Sequence, residues 1–360
     1  MSSRIARLFD AMADSYDDLE PWYEHLYAVL HGILRAELAL PGDGRPRRAL
    51  DAGCGTGFQT VLLQELGYAT HGLDIAPALL AVARRRLPTA ALALGSLEAL
   101  PYGDGRFDVV TCCGSTLSLV AAPARALGEI GRVLRPGGRL LIECEHKWSL
   151  DLAWALVSSL TSDSLDYGVS PADAWRQVAR PLGEGLVLEY PFRAADGAIA
   201  RMPLRLFTVS ELRAMLEAAG LTPQRRWGIH AITNVIPSTV LHRERLPRPL
   251  AAIFGPLCAI DRRLGRFPPA RLLANSLVIL ARRAARERAE VIEPATPGTQ
   301  GEGGGGRCHG ASLTGRISAP GSRRVCRCGW TLMSAAPPSR AVVCYVGAVS
   351  IRRTPQISNG

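Results

Sequence analysis

The stretch Asp51-Ala-Gly53-Cys-Gly55-Thr-Gly57 constrains the fold more than any other part of this chain. It follows the apolar run Arg48-Ala49-Leu50 and opens the helix-patterned segment Phe58 to Leu66. Glycine lacks a Cβ and tolerates φ > 0, so the backbone can turn sharply after a strand and bring its amides close to a ligand. The helix that comes next offers N–H groups with no intrahelical partner. An acid, three alternate glycines and a strand-to-helix change together describe a nucleotide cradle in a βα unit.

The spacing narrows the ligand. A dinucleotide fingerprint reads G-x-G-x-x-G and sets a pyrophosphate on the helix N-terminus. Here the pattern is G-x-G-x-G, with Asp51 two residues ahead of Gly53. A carboxylate there repels a phosphate but suits an ammonium or sulfonium group. Downstream, His71-Gly-Leu-Asp74-Ile75 reads as a second strand ending in an acid that can accept ribose hydroxyls. Ala90 to Leu94 reads as a third strand, followed by Gly95-Ser-Leu-Glu-Ala-Leu100-Pro101, and Phe107 to Cys113 as a fourth whose continuous apolar character fits burial on both faces. Helical periodicity from Ala124 to Leu134 stops at Pro136-Gly137-Gly138, and Arg139 to Cys144 reads as a fifth strand.

These pieces, in order and at βα spacing, resemble the class I S-adenosylmethionine (SAM)-dependent methyltransferases. The likeness is to the small-molecule, type-11-like branch, whose signatures run D-x-G-x-G-x-G, G-x-D, L-P, F-D-x-V and L-x-P-G-G, and it covers Leu50 to Glu143. It implies a Rossmann-like α/β fold: a seven-stranded mixed sheet of order 3-2-1-4-5-7-6, flanked by helices, with an antiparallel last strand. The cofactor it implies is SAM. Asp51 would orient the methionine ammonium directly or through water, Gly53 and Gly55 would approach the methionine backbone, and Cys54 and Gly57 complete the loop. Asp74 would hold the ribose, Ile75 would pack on the adenine with Ser96 and Leu97 at its rim, and Cys113 and Gly114 would face the methionine. The family usually carries an acid where this chain has Ser96, which predicts weaker cofactor affinity. Methyltransferases of this kind need no nucleophilic thiol, so Cys54 is read as a small residue fitting a tight turn.

The flanks divide the chain further. The resemblance implies that residues 1–46 form an N-terminal helical lid, with Tyr16 of a Tyr-Asp pair as the lid candidate, while 47–286 read as the SAM-dependent methyltransferase domain and 287–360 as a disordered tail. Between Glu145 and Phe207 lies an insertion at the carboxyl edge of the sheet, where ligands bind in open α/β folds. It is expected to hold helices at Leu150–Leu160 and Pro171–Val178 and a hairpin turning at Ala195-Asp196-Gly197. This substrate cap offers Trp148, Trp154, Tyr167, Trp175, Tyr190 and Phe192 as apolar walls. Thr208 or Ser210 caps the next helix, Gln224 to Ile232 is the sixth strand and Ser276 to Ala281 the seventh, with a helix near Ala251 to Leu264 between them. The substrate candidates are Tyr16, Trp148, Tyr190 and His230. For a general base, Glu145 and His146 follow the fifth strand and His230 ends the sixth. His146 is preferred because an imidazole titrates near neutrality, at about 6.5.

Charge and composition set outer bounds. The formal charge is +10, but residues 301–360 hold eight arginines and one glutamate, so residues 1–300 carry only +3. A nearly balanced body predicts no nucleic-acid partner. The cysteine spacings match no zinc pattern, so no metal is expected. No apolar run reaches the ~18 residues of a membrane span, and the N-terminus has no apolar signal core, which together predict a cytoplasmic protein acting on a small molecule. Two alternatives remain. A non-catalytic SAM-binding module would keep the cradle without turnover, and an NAD-dependent oxidoreductase would need the longer glycine spacing and a Tyr-Lys pair, although Lys147 is the only lysine. The oligomeric state and the methyl acceptor stay open.

Overall fold

The computed structural model describes residues 2–14, 16–17, 23–193, 199–241, 247–264 and 267–285. The chain's contacts divide it into a unit of residues 1–290 and one of 291–360, and every described element belongs to the first. The tail at 287–360 and the turn Ala195-Asp196-Gly197 lie outside the described residues.

Two helices, α1 (Ser2–Met12) and α2 (Tyr23–Leu38), precede the βα series. The series runs β1 (Arg48–Ala52), α3 (Phe58–Glu65), β2 (Ala69–Asp74), α4 (Pro77–Arg86), β3 (Ala91–Leu94), β4 (Phe107–Cys112), α5 (Thr116–Leu119), α6 (Pro123–Val133) and β5 (Leu134–Glu145). Then come α7 (Leu150–Leu160), α8 (Pro171–Val178), a hairpin of β6 (Leu186–Arg193) and β7 (Ile199–Leu206), α9 (Val209–Ala218) and β8 (Leu221–Ile229). Short α10 (Ser238–Leu241), long α11 (Arg248–Leu264) and α12 (Pro268–Leu273) lead to β9 (Ser276–Arg283). The main sheet has seven strands in the order β3-β2-β1-β4-β5-β9-β8. Since β6 and β7 form their own two-stranded sheet, this is the expected order with β8 sixth and β9 seventh. Strands β1 to β5 are parallel, and β9 runs antiparallel to both β5 and β8.

The sequence patterns translate directly into this packing. Buried Ala126, Leu127, Ile130 and Val133 make α6 amphipathic at helical spacing and seat it on the sheet. On α9, Thr208 is the cap: its hydroxyl accepts the Glu211 amide at 3.2 Å. Gly131 of α6 sits so close to the Ala219 carbonyl that a Cβ would lie 2.5 Å from it, which fixes how α6 and α9 meet. Helix α1 buries Ile5, Leu8 and Met12 against Leu119 and against Leu186, Met202, Leu204 and Leu206 of the hairpin. At roughly 1.5–3 kcal/mol for each large apolar side chain buried, this cluster binds α1 and hairpin into one wall.

Two boundaries differ from the expected ones. The fifth strand begins at Leu134, because Leu134 already pairs with Phe107 and the Pro136-Gly137-Gly138 bend, with Gly137 at φ +77°, is taken up inside the strand as a register shift. The sixth strand ends at Ile229, where His230 adopts φ +58° and buried Asp261 accepts the amides of Ala231 and Ile232. Those amides are thereby lost to any further ladder.

Candidate functional site

The glycine loop is held from behind by the second strand. The amides of Gly53 and Cys54 both donate to the Leu73 carbonyl, at 2.7 and 3.0 Å, and the Gly55 amide donates to Asp74 Oδ2 at 2.8 Å. Gly53, Gly55 and Gly57 have φ of +84°, +51° and +97°. A Cβ on Gly53 would stand 2.4 Å from Thr116 Cγ2, whereas one on Gly55 would meet nothing within 4 Å. The first glycine is required by the protein's own packing, and the second borders open space.

That space is a cleft of about 840 Å³ at the carboxyl ends of β1, β2, β3 and β4. Gly53, Cys54, Gly55, Asp74, Ile75, Ser96, Leu97, Cys113 and Gly114 all line it, as does Tyr16. Ile5 and Phe9 of α1, with Tyr27, Phe58 and Leu119, add an apolar and aromatic side. Its mixed apolar and polar lining matches that of small-molecule sites.

Asp74 is 8 % exposed and already accepts two backbone amides, Gly55 on Oδ2 and Ala76 on Oδ1 at 2.9 Å. An ionised carboxylate has about four lone-pair positions, so two remain for hydroxyl donors. Burial raises its pKa, partly offset by those amides. Asp51 is the surprise of the loop. It is 1 % exposed and absent from the cleft lining, with Oδ2 accepting from Thr60 Oγ1 at 2.6 Å and Oδ1 from Thr111 Oγ1 at 3.0 Å. Desolvation pushes its pKa up to about 6. It stands behind the loop, and of the direct and water-mediated ammonium contacts that the resemblance implies, the direct one has no place in the cleft lining. Gly57 likewise stays out of the cleft and packs on Leu87.

Two features near the third and first elements carry no signal in the sequence pattern. Glu98 lines the cleft two residues beyond Ser96, whose Oγ accepts the Glu98 amide at 3.2 Å. An acid therefore does stand at this rim, displaced from its usual position, with Oε1 accepting the Ala122 amide at 2.9 Å. Asp17, beside Tyr16, accepts from Thr56 Oγ1 at 2.7 Å and pairs with Arg86, whose guanidinium also donates to the Thr56 carbonyl and lies 4.4 Å above the Phe58 ring. Asp10 accepts the Ala78 amide at 2.8 Å. The N-terminal segment is thus fastened to the glycine loop and to α4 from two points.

The remaining sequence candidates are placed elsewhere. His146 is 2 % exposed, does not line the cleft, and its Nδ1 lies 3.0 Å from the Ala274 carbonyl at the start of β9; burial lowers its pKa to about 4. The preferred base is therefore a packed, neutral imidazole joining β5 to β9. Glu145, next to it, accepts from Ser115 Oγ at 2.6 Å and from Asn275 at 3.2 Å. Buried Glu143 accepts the Ser115 amide at 2.7 Å, which secures the turn after β4 where Ser115 takes φ +55°. Trp148 donates to the Leu182 carbonyl and Tyr190 meets Ser238 Oγ at 3.3 Å, neither at the cleft. His230 lines a separate, smaller cavity with Cys258 and Arg262 and is 2.8 Å from Thr233 Oγ1. Trp154 and Tyr167 are engaged with Asn234 and Asp151, Trp175 is 68 % exposed, and the side chain of Phe192 lies outside the described residues. The cap's apolar face is spent on α1, and α1 forms the cleft wall in its place.

Lys147 is fully buried, donates to the carbonyls of Pro181 and Glu184 and rests 4.6 Å from the Trp148 ring centroid. It is structural, which removes the Tyr-Lys pair that an NAD-dependent reductase would need. Cys54, Cys112, Cys113, Cys144 and Cys258 are free, buried thiols, each with its pKa raised chiefly by burial. No helix among the described residues is long and apolar enough to cross a membrane, and no group of three or more metal-ligating side chains is found among them.

Comparison with known proteins agrees with this geometry. A methyltransferase domain family of type 11 matches residues 50–142. The demethylmenaquinone methyltransferase of Thermus thermophilus is 43 % identical over 112 residues, which is 29 % of this chain and 50 % of that protein. The malonyl-acyl-carrier-protein O-methyltransferase of Serratia marcescens is 34 % identical over 178 residues, 48 % of this chain and 58 % of that protein. The chain thus spans between half and three-fifths of these relatives' length. Among solved structures, the CcbJ methyltransferase of Streptomyces caelestis aligns over 77 % of this chain and 98 % of that one, with 20 % identity and a TM-score of 0.47. The matched segment, the strand order and the glycine cradle together identify a methyltransferase domain of type 11 over residues 50–142 of this chain.

Proposed function

We propose that this protein transfers the methyl group of SAM to a small, largely apolar organic acceptor bound in the cleft beside the glycine loop. The observation that carries the reading is that a single cleft of about 840 Å³ is bordered on one side by Gly53, Gly55, Asp74, Ile75 and Glu98 and on the other by Ile5, Phe9, Tyr16, Tyr27 and Leu119. The residues present fit the cofactor. Gly55 leaves open space where a side chain would intrude, and Asp74 keeps acceptor capacity for the ribose hydroxyls. Glu98 and Ser96 supply acceptors at the adenine rim, Ile75 and Leu97 an apolar face for the ring, and Cys113 and Gly114 a close backbone for the methionine.

When bound, SAM supplies an activated methyl on a positively charged sulfur. The task left to the protein is to align acceptor, methyl and sulfur. Well-oriented partners reach effective molarities of roughly 10⁵ M or more, so positioning accounts for much of the acceleration. The acids Asp51, Asp74 and Glu98 stand around the cradle and favour a cation there, while the aromatic side excludes water from the acceptor. Because His146 is packed away from the cleft, the acceptor on this reading enters as a nucleophile already, such as a phenolate, an enolate or a neutral amine. On this reading α1 is a lid latched through Asp17–Arg86, and the β6–β7 hairpin braces it from outside.

The reading is tested by incubating the protein with methyl-labelled SAM and a metabolite extract of the host, then following the label. Labelling of an apolar compound supports it. SAM binding with no label transferred to any compound would favour a non-catalytic module and overturn it.

A further inference from the structure

The connection from β8 to β9 carries a face that the cleft does not use. On α11, Leu250, Phe254, Leu257, Cys258 and Asp261 turn inward: Phe254 and Cys258 pack with Leu30 and Leu34 of α2 and with Ile229, and Asp261 accepts the amides of Ala231 and Ile232. Beside that inward face, about a quarter-turn round the helix, Ile253, Pro256, Ile260 and Leu264 recur at intervals of three and four residues as one stripe. Ile253, Ile260 and Leu264 are 47, 43 and 40 % exposed. In the following turn and α12, Phe267, Leu272 and Leu273 are also exposed, at 57, 56 and 47 %. Exposed arginines 248, 262 and 263 flank it. Between residues 247 and 285 the one acid is Asp261, and it is buried.

An apolar stripe edged by arginines, with no exposed acid among the described residues of 247–285, has the chemistry of an interfacial helix, in which hydrocarbon contacts and attraction to anionic headgroups add. We propose that the α11–α12 face docks this protein reversibly on an anionic lipid surface. The topology supports the placement. Because β8 and β5 are both antiparallel to β9, β8 runs with the parallel strands, so α11 and α12 leave its end at the carboxyl edge of the sheet, the edge on which the cleft opens. The long arginine stems can cover apolar surface while their guanidinium groups reach phosphates.

The test is co-flotation of the full chain with vesicles of phosphatidylcholine alone and of phosphatidylcholine with phosphatidylglycerol, at low and high salt. Since residues 301–360 carry eight arginines, binding by itself would not identify the face, and two variants do so. Ile260→Asp/Leu264→Asp interrupts the stripe, and Arg248→Glu/Arg263→Glu reverses its flanking charge; both alter exposed side chains, and circular dichroism and melting midpoints check that they fold. The expected result is binding to the anionic vesicles that weakens with salt and falls about tenfold or more in each variant, since each juxtamembrane arginine is worth roughly a factor of five. No binding by the parent chain, or binding undiminished in both variants, overturns the proposal. So does a parent chain that ignores vesicles but forms a dimer in light scattering that the Ile260→Asp/Leu264→Asp chain does not, which would give the face to a second copy.

Discussion

Alanine at Gly53 and alanine at Gly55 are the same chemical change in the same loop, yet the structure predicts different consequences. Both glycines have positive φ, which disfavours an L-residue by roughly 1–2 kcal/mol. At Gly53 a new Cβ would also lie 2.4 Å from Thr116 Cγ2, 2.5 Å from its Oγ1 and 2.9 Å from its Cβ. Thr116 cannot rotate away freely, because its hydroxyl donates to the Cys113 carbonyl at 2.7 Å, and overpacking of this kind adds about 1–3 kcal/mol. Gly53→Ala should therefore lose about 2–5 kcal/mol in urea unfolding, and Gly55→Ala only about 1–2 kcal/mol. Thr116→Ala removes two of the three close atoms, so the Gly53→Ala/Thr116→Ala chain should recover part of the loss and give a positive coupling in a double-mutant cycle. SAM affinity should invert the order, because the Gly55 methyl points into open space beside the cleft. Equal stability losses at the two positions, or no coupling with Thr116, would refute the reasoning.

Asp51 gives a pH signature. Its pKa is raised by burial from 3.8 to about 6, so the folded state holds its proton more tightly than the unfolded chain does. That contribution to stability is complete below pH 4 and lost as pH rises through 6, about 3 kcal/mol for a shift of roughly two units. Unfolding free energies of the parent and Asp51→Asn chains, followed from pH 4 to 7, should diverge by that amount, and parallel curves would contradict it. At the adenine rim, Glu98→Gln should weaken SAM binding severalfold and Ser96→Ala by less; calorimetric titration giving the reverse order would return the role to Ser96. Asp17→Ala removes the partner of Arg86 and Thr56 and should speed SAM dissociation in stopped-flow displacement, with little change in melting midpoint. An unchanged dissociation rate would remove the latch.

The parallel half of the sheet was legible because its information is local. Continuous apolar strands, the three glycines and the acid at Asp74 each declare themselves within a few residues. Helices α7 and α8 fall on the expected residues, α7 as an apolar run and α8 behind Ser170, whose hydroxyl accepts the Asp173 amide. What could not be read depends on contacts distant in sequence. The burial of His146 follows from a carbonyl 128 positions away, and the latch joins Asp17 to Arg86, 69 positions apart. Asp51 looked like a ligand group because its spacing from Gly53 is apparent, whereas Thr60 and Thr111, which satisfy it, become neighbours only once the sheet forms. Glu98 was overlooked because the family pattern directs attention to position 96. The cap's aromatic residues read as cleft walls, yet among the described ones Tyr190 alone packs in the cluster of α1 and the hairpin, since nothing local reveals that the hairpin faces α1.

If the cleft binds SAM through the acid at the end of the second strand, isothermal titration of the parent and Asp74→Ala chains will register it. One SAM site per chain is expected in the parent, and a site at least tenfold weaker, about 1.4 kcal/mol, in the variant. No binding heat with the parent chain, or equal affinities in the two, would contradict this assignment.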